Sequence, residues 1–250
     1  MEFNITGIEK DAPLPLYYQL KAIIKNQIEE GKLKPDELIP SERDLMELYN
    51  ISRTPVRQAI NELVVEGLLR REHGKGTFVA GKKISQSFLE NLSSFGEEMS
   101  QKGLSYRTKV LEQIVLQGNS NLEKIFGAET REFYRLERLR YIKDTPYVLL
   151  TTYIPCSIAP GLFDTDFEQH SLYKTLSERY GVEIKYADRD IEAVTVSEED
   201  ASLLDISHTS AIQLTRTVAY LSDGKPFEYS IARYRGDLSK FTVRVNYKKI

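Results

Sequence analysis

The chain has 250 residues, 41% hydrophobic and 28% charged, with a formal net charge of −3. That length suffices for one large domain or two small ones with their own cores, and no run of ~18 apolar residues is present to span a membrane. A single cysteine, Cys156, excludes an internal disulfide, and three scattered histidines (His73, His170 and His208) argue against a zinc or catalytic constellation. The first residues lack a basic start followed by an apolar core, so no signal peptide is expected and the chain reads as cytosolic. Residues 1–80 carry 11 Lys and Arg against 13 Asp and Glu. Bulk charge therefore gives no support for nucleic-acid binding, which would have to rest on where the arginines lie.

After Pro13 and Pro15, Leu16, Leu20, Ile23, Ile24 and Ile28 recur at helical spacing, and Gly31 stands where a C-terminal cap is expected. "KLKPDELIP" is a polar, proline-punctuated loop. Ser41 precedes Asp44 by three residues, the pattern of a capping box, and Leu45 and Leu48 predict the buried stripe of a second helix. "YNIS" connects to a third helix with Ser52 as its N-cap and Pro55 in its first turn, where a missing N–H costs nothing. Val56, Ile60, Leu63 and Val64 form its inner stripe, leaving Arg53, Arg57, Gln58 and Asn61 outside, and Gly67 ends it. "LLRRE" and "TFVAG" read as strands joined by "HGKG", a hairpin whose glycines allow positive φ and whose tip carries Lys75.

Helix, helix, short turn, helix, hairpin is the winged helix-turn-helix order, in which the second helix of the turn enters the major groove. An arginine fork matches O6 and N7 of guanine, and a lysine between glycines can approach phosphates. Taken singly, Arg53 with Arg57 also fits a solvated helix face, and "GKG" also fits a plain tight turn; order and spacing together favour the duplex. The segment from Pro13 to Val79 resembles the DNA-binding domain of the GntR family of bacterial transcription regulators, through "PSERDL", "ISRTPVRQAINELVVEGLLRR" and "GKGTFV". The resemblance implies base or phosphate contacts from Arg43, Arg53 and Arg57, phosphate contacts from Ser41 and Thr54, and a wing formed by Gly74, Lys75 and Gly76.

"AGKKISQS" is a polar bridge. It places a linker at residues 81–87, between a DNA-binding domain over 1–80 and a second domain over 88–250. "LENLSSFGEEMSQKG" reads as a helix capped by Ser93 or Ser94, with Glu97 and Glu98 in its first turn and Gly103 as its stop. A strand-like run "YRTKVLEQIVLQ", a short helix "NLEKIFG" and six further β-rich runs follow, with hairpin turns at "KDTP" and "SDGKP". Two helices starting at Ser171 and Ser197 lie among them, the latter with a capping box in "SEEDASLLD". The fold class is α+β, with helices on an antiparallel sheet.

Alternation along "REFYRLERLRYI" puts Tyr134, Leu136, Arg138, Arg140 and Ile142 on one face. Arginines among apolar neighbours on a half-buried face are costly unless they meet anions. Two arrangements meet that need. One is internal pairing, with Glu192 or Glu228; the other is a phosphate or carboxylate held bidentately, helped by N–H donors at Ser93–Phe95.

This half resembles the UTRA effector domain of HutC-type GntR regulators, through "LSSF", "R-L-R", "YIP", "HSLY", "PFEYS" and "YRGD". That domain has a chorismate-lyase-like fold and often binds phosphorylated sugars. The resemblance implies an anion end of Ser93, Ser94, Phe95, Arg138, Arg140 and Ser171, with Glu228, Tyr234 and Arg235 contacting a polyol or closing the site. Amino-sugar-responsive relatives carry an acidic residue near Leu150 or Thr151, which argues against an aminosugar phosphate here.

The expectation is a homodimeric DNA-binding regulator, a repressor reading a near-palindromic double-stranded operator and released by a small anionic effector, foremost a phosphorylated sugar. No metal, cofactor or membrane contact is expected. The alternatives are a carboxylate or amino-acid derivative as effector, a constitutive DNA binder whose second domain only dimerises, and an enzyme on the chorismate-lyase-like fold. For the enzyme, His170 beside Ser171 is the one candidate dyad.

Overall fold

The computed structural model describes residues 7–72, 74–81, 83–86 and 94–244. The chain divides into two compact units between Lys83 and Ile84. In the first, α1 (Leu16–Glu29), α2 (Glu42–Tyr49) and α3 (Arg53–Val65) precede the antiparallel pair β1 (Leu69–Glu72) and β2 (Gly76–Val79). Of the predicted stripes, Leu16, Ile23, Ile28, Leu48 and Val64 are only partly buried at the edge of its core, while the centre holds Leu20 and Ile24 of α1, Leu45 of α2, and Val56, Ile60 and Leu63 of α3, all at most 1% exposed. Each such side chain contributes about 1.5–3 kcal/mol by leaving water. Lys21 of α1 bridges Glu62 and Glu66, tying α1 to α3 at its rim.

Local chemistry sets the ends of α2. Ser41 accepts the Asp44 N–H, and the Asp44 carboxylate accepts the Ser41 N–H, which completes the expected capping box. Asn50 closes α2 at φ 48°, a left-handed conformation that asparagine tolerates better than most residues. Ser52 caps α3 by position only, since its side chain makes no cap hydrogen bond. At the hairpin tip Gly76 has φ 124°, a conformation that residues with a Cβ rarely adopt; the Leu38 Cδ1 that a Cβ would meet at 2.7 Å ends an exposed side chain that can turn aside.

The second unit is built on β4 (Tyr106–Gln117), β5 (Glu132–Ile142), β6 (Thr145–Pro155), β7 (Ile184–Thr195), β8 (Ala211–Leu221) and β9 (Pro226–Arg235). They form one antiparallel sheet in the order β4-β5-β6-β9-β8-β7. Two short strands, β3 (Ile84–Gln86) and β10 (Ser239–Phe241), pair in parallel. Residues 84–86, assigned to the linker by their polarity, are therefore a strand: Gln86 is 1% exposed and its amide donates to the Tyr147 hydroxyl.

Helices cover both faces of the sheet. On one face, α4 (Phe95–Gln101) packs Phe95 and Met99 on Ile142 and Val148, and α6 (Leu172–Tyr180) packs Leu172 and Leu176 on Tyr134 and Leu136. On the other, α5 (Ser120–Phe126) sits on Phe133, and α7 (Glu198–Leu204) sits on Leu139 and Leu149. The α+β class and its antiparallel sheet are as the sequence led us to expect. The capping box at Ser197 is half formed: Ser197 accepts the Asp200 N–H, but the Asp200 carboxylate meets Arg233 at 3.0 Å.

Candidate functional site

In the first unit the predicted arginines lie on the surface. The side chains of Arg43, Arg53 and Arg57 are 82%, 70% and 56% exposed, so water and salt screen their ion pairs. Arg43 pairs with Glu47 at 3.8 Å along α2, while Arg53 and Arg57 approach Glu42 at 3.7 and 3.9 Å. Thr54 is exposed in the first turn of α3. Lys75 stands between Gly74 and Gly76 at the hairpin tip, 3.5 Å from Glu72. Ser41 spends its hydroxyl and its N–H on the capping box. Of the two hairpin arginines, Arg71 is exposed beside Glu42, whereas Arg70 is buried against Asp36 and Glu72 and takes no part in this face. His73, in the predicted turn, lies outside the described residues.

In the second unit a cleft enclosing about 670 Å³, part of it open to solvent, lies on the α4/α6 face of the sheet. Strand register explains its floor. Arg138, Leu150, Ala232 and Thr215 lie side by side across β5, β6, β9 and β8, and the next row runs Thr152, Ser230, Thr217 and Arg189. Glu228 lies two residues from Ser230 on β9, hence on the same face. Ser94 and Phe95 at the start of α4, and Ser171 and Tyr173 at the start of α6, form the wall.

The electrostatics of this cleft are unusual for an interior. Arg138 is 2% exposed and Glu228 is 3% exposed. Burial and then the neighbouring Arg140 push the Arg138 guanidinium well below its ordinary pKa, against the pull of Glu228. Burial likewise pushes the Glu228 carboxyl up, while hydrogen bonds from Tyr173 and Ser230 and the charge of Arg138 oppose that shift. Arg138 donates to Thr152 Oγ1 at 3.2 Å, and Arg140 lies 4.9 Å from the centre of the Phe95 ring. Four buried polar atoms here make no hydrogen bond: Nε of Arg138, Nε of Arg140, Oγ1 of Thr215 and Oε2 of Glu228. Leaving such groups unmade carries a penalty of about 1–3 kcal/mol each. The arrangement is suited to an anion at the arginines and a hydrogen-bond donor at Glu228.

The structure thus gathers Ser94, Phe95, Arg138, Arg140, Ser171, Glu228 and Tyr234 around one cleft, while Ser93 lies outside the described residues. Arg235 is a correction. It follows Tyr234 directly on β9 and so faces the other side of the sheet, where it binds Asp237 and the carbonyls of Pro146 and Leu204. Neither suggested internal partner forms an ion pair with these arginines: Glu228 lines the same cleft and acts on Arg138 only through its charge, and Glu192 is taken by Arg216. Leu150 lines the cleft, and Thr151 turns away to Glu137 and Arg233. Tyr173, Arg189, Thr215, Thr217 and Glu98 were missed; Tyr173, two residues past the Ser171 cap, carried the nearest signal. His170 and Ser171 engage different partners, the Asp166 carbonyl and the Lys174 N–H. Among the described residues no cluster of His, Cys, Asp or Glu could hold a metal ion, and no helix is long and apolar enough to cross a membrane.

Comparison with known proteins bears on both units. Residues 16–79 match the family model described as bacterial regulatory proteins, gntR family, and residues 101–240 match the UTRA domain. The chain is 34% identical to the HTH-type transcriptional repressor NagR of Bacillus subtilis, over 94% of this chain and 96% of that one. It is 31% identical to the mannosyl-D-glycerate transport/metabolism system repressor MngR of Escherichia coli, over 92% and 95% of the two chains. Among solved structures, PhnF from Mycobacterium smegmatis superposes with a TM-score of 0.64 at 26% identity, covering 93% of this chain and 99% of that one.

Proposed function

This chain belongs to the GntR family of bacterial regulatory proteins and carries its UTRA domain, and from that premise we propose that it is a repressor released from its operator by a small anionic effector, a phosphorylated sugar. As a member of the family it is a DNA-binding transcription regulator and not an enzyme. The observation that carries the effector reading is the pair of arginines in the cleft, Arg138 buried and Arg140 half-buried, each with a buried Nε that makes no hydrogen bond.

In this reading α3 enters the major groove with Arg53, Thr54 and Arg57. Arg43 holds the backbone, Ser41 serves by capping α2 because both of its donors are spent on Asp44, and the Gly74–Gly76 wing brings Lys75 to the phosphates. Two copies form a homodimer that spans half-sites about 34 Å apart, one duplex turn. The effector's phosphate lies on Arg138 and Arg140 beside Ser94, Phe95 and Ser171, and its hydroxyls reach Glu228 and Tyr234. Leu150 offers no acceptor for an amine at the cleft floor. To clear the operator the effector must bind the released state more tightly by a few kcal/mol. A sugar-linked carboxylate is the second reading, favoured by the similarity to a repressor of a mannosyl-D-glycerate system.

Thermal unfolding of the full chain against sugar phosphates, free sugars and small carboxylates tests this. A phosphorylated sugar at a hundredfold excess over its Kd should add about 2.7 kcal/mol of stability, and Arg138→Ala should remove that gain. A gain with carboxylates alone would keep the arginines and overturn the phosphate. No gain with any anion would overturn the effector reading.

A further inference from the structure

Glu42 is the first residue of α2, and its carboxylate lies among three arginines from two other elements. Arg71 of β1 brings Nη2 to 3.4 Å from Oε1. Arg53 and Arg57, one turn apart on α3, bring Nε to 3.7 and 3.9 Å from Oε2. Both carboxylate oxygens are therefore in use, and Glu42 is more enclosed than any of its three partners. The α3 arginines make their shortest approach through Nε, at ion-pair rather than hydrogen-bond distance, so their terminal nitrogens, the fork that fits a guanine edge or a phosphate, are not hydrogen-bonded to it. Without the carboxylate, three like charges crowded on one face would repel and spread over many rotamers. Arg43 is not part of the group, as its partner is Glu47.

We propose that Glu42 is a positioning residue for DNA recognition: it aims Arg53, Arg57 and Arg71 at the duplex, adds Arg71 to the reading set and favours discrimination over raw affinity. This rests on the reading of α3 as the groove helix. Two effects drive it. A carboxylate beside the backbone phosphates weakens sequence-independent attraction, which depends on net positive charge. A guanidinium already held in place loses less side-chain freedom when it docks on a base edge.

The test uses the full chain as wild type, Glu42→Gln, Glu42→Asp and Arg71→Gln. Each protein selects from a randomised duplex library and is then titrated against its selected site and a random duplex, with thermal unfolding alongside. Glu42→Gln should unfold at the wild-type temperature and bind random duplex more tightly. Its preference for the selected site should fall about tenfold, the scale of one mismatched base pair. Glu42→Asp should regain part of that preference, and Arg71→Gln should lose part of it without touching α2 or α3. Unchanged preference in Glu42→Gln, or equal tightening on both duplexes, would overturn the proposal. So would a Glu42→Gln chain that loses preference only because it unfolds while Arg71→Gln behaves as wild type. A wild-type chain that selects no sequence would instead overturn the groove assignment itself.

Discussion

Arg57 and Arg138 carry the same guanidinium in opposite surroundings. The Arg57 side chain is 56% exposed, and its nearest carboxylate lies 3.9 Å away. Water and ions screen that pair, so it adds little to stability, and its value lies in displacing counterions from a duplex. Arg138 lies almost wholly out of water, beside another arginine and one buried carboxylate. Its desolvation is complete before any ligand arrives, so an anion finds a charge with few competing partners. The first arginine stores function as accessible charge; the second stores it as an unmet interaction that weakens the ligand-free fold.

That contrast can be broken in four ways. The largest effect is expected from Glu228→Leu, which leaves Arg138 facing Arg140 without its buried counter-charge. Urea unfolding should show a loss of about 3–5 kcal/mol. A neutral result would mean that the cleft does not depend on this pair.

The next concerns pH. Burial pushes the Tyr234 hydroxyl up to about 12, against the pull of Arg140. An unfolded tyrosine ionises near pH ~10, so above that value the unfolded chain sheds a proton that the folded chain keeps. Stability is therefore intact below pH ~10 and should fall by up to about 2–3 kcal/mol as pH climbs through 12. Tyr234→Phe should flatten this fall in denaturation curves taken across the window, whereas parallel profiles would show the hydroxyl to be unprotected.

On the exposed side, Arg57→Ala should lose about 1–3 kcal/mol of operator affinity, read by fluorescence anisotropy. Its unfolding free energy should stay within about 0.5 kcal/mol of wild type. A stability loss as large as that of Glu228→Leu would erase the distinction between the two arginines. The smallest effect has the opposite sign: Arg140→Met should stabilise the ligand-free chain by about 1 kcal/mol, by removing a like charge from beside Arg138, while ending any response to anions. Destabilisation would mean that the contact of Arg140 with Phe95 outweighs the repulsion.

The first unit was legible almost residue by residue because its signals are local. A capping box spans four residues, a helical stripe repeats every turn, and a glycine at positive φ marks its own turn. The second unit was legible strand by strand. Alternation placed Arg138 and Arg140 on one face, and the same rule separates Tyr234 from Arg235, which the resemblance had joined. Residues 84–86 looked like linker because a three-residue strand is too short to show alternation. Arg189, Thr215 and Thr217 escaped notice because each, seen alone, is an ordinary polar residue in a strand.

By itself, then, the sequence determined most of the elements, several of their caps and turns, the two arginine sets and the face each arginine takes on its own strand. The tertiary structure decided which strands lie side by side. The order β4-β5-β6-β9-β8-β7 brings Arg189 of β7 into the same cleft as Arg138 of β5, about fifty residues earlier in the chain. It also folds Arg71 of the hairpin onto Glu42 of α2. The physical reason is one of range. Backbone geometry sets side-chain direction within a few residues, whereas neighbours across a sheet follow from burying all the apolar faces at once, a property of the whole chain.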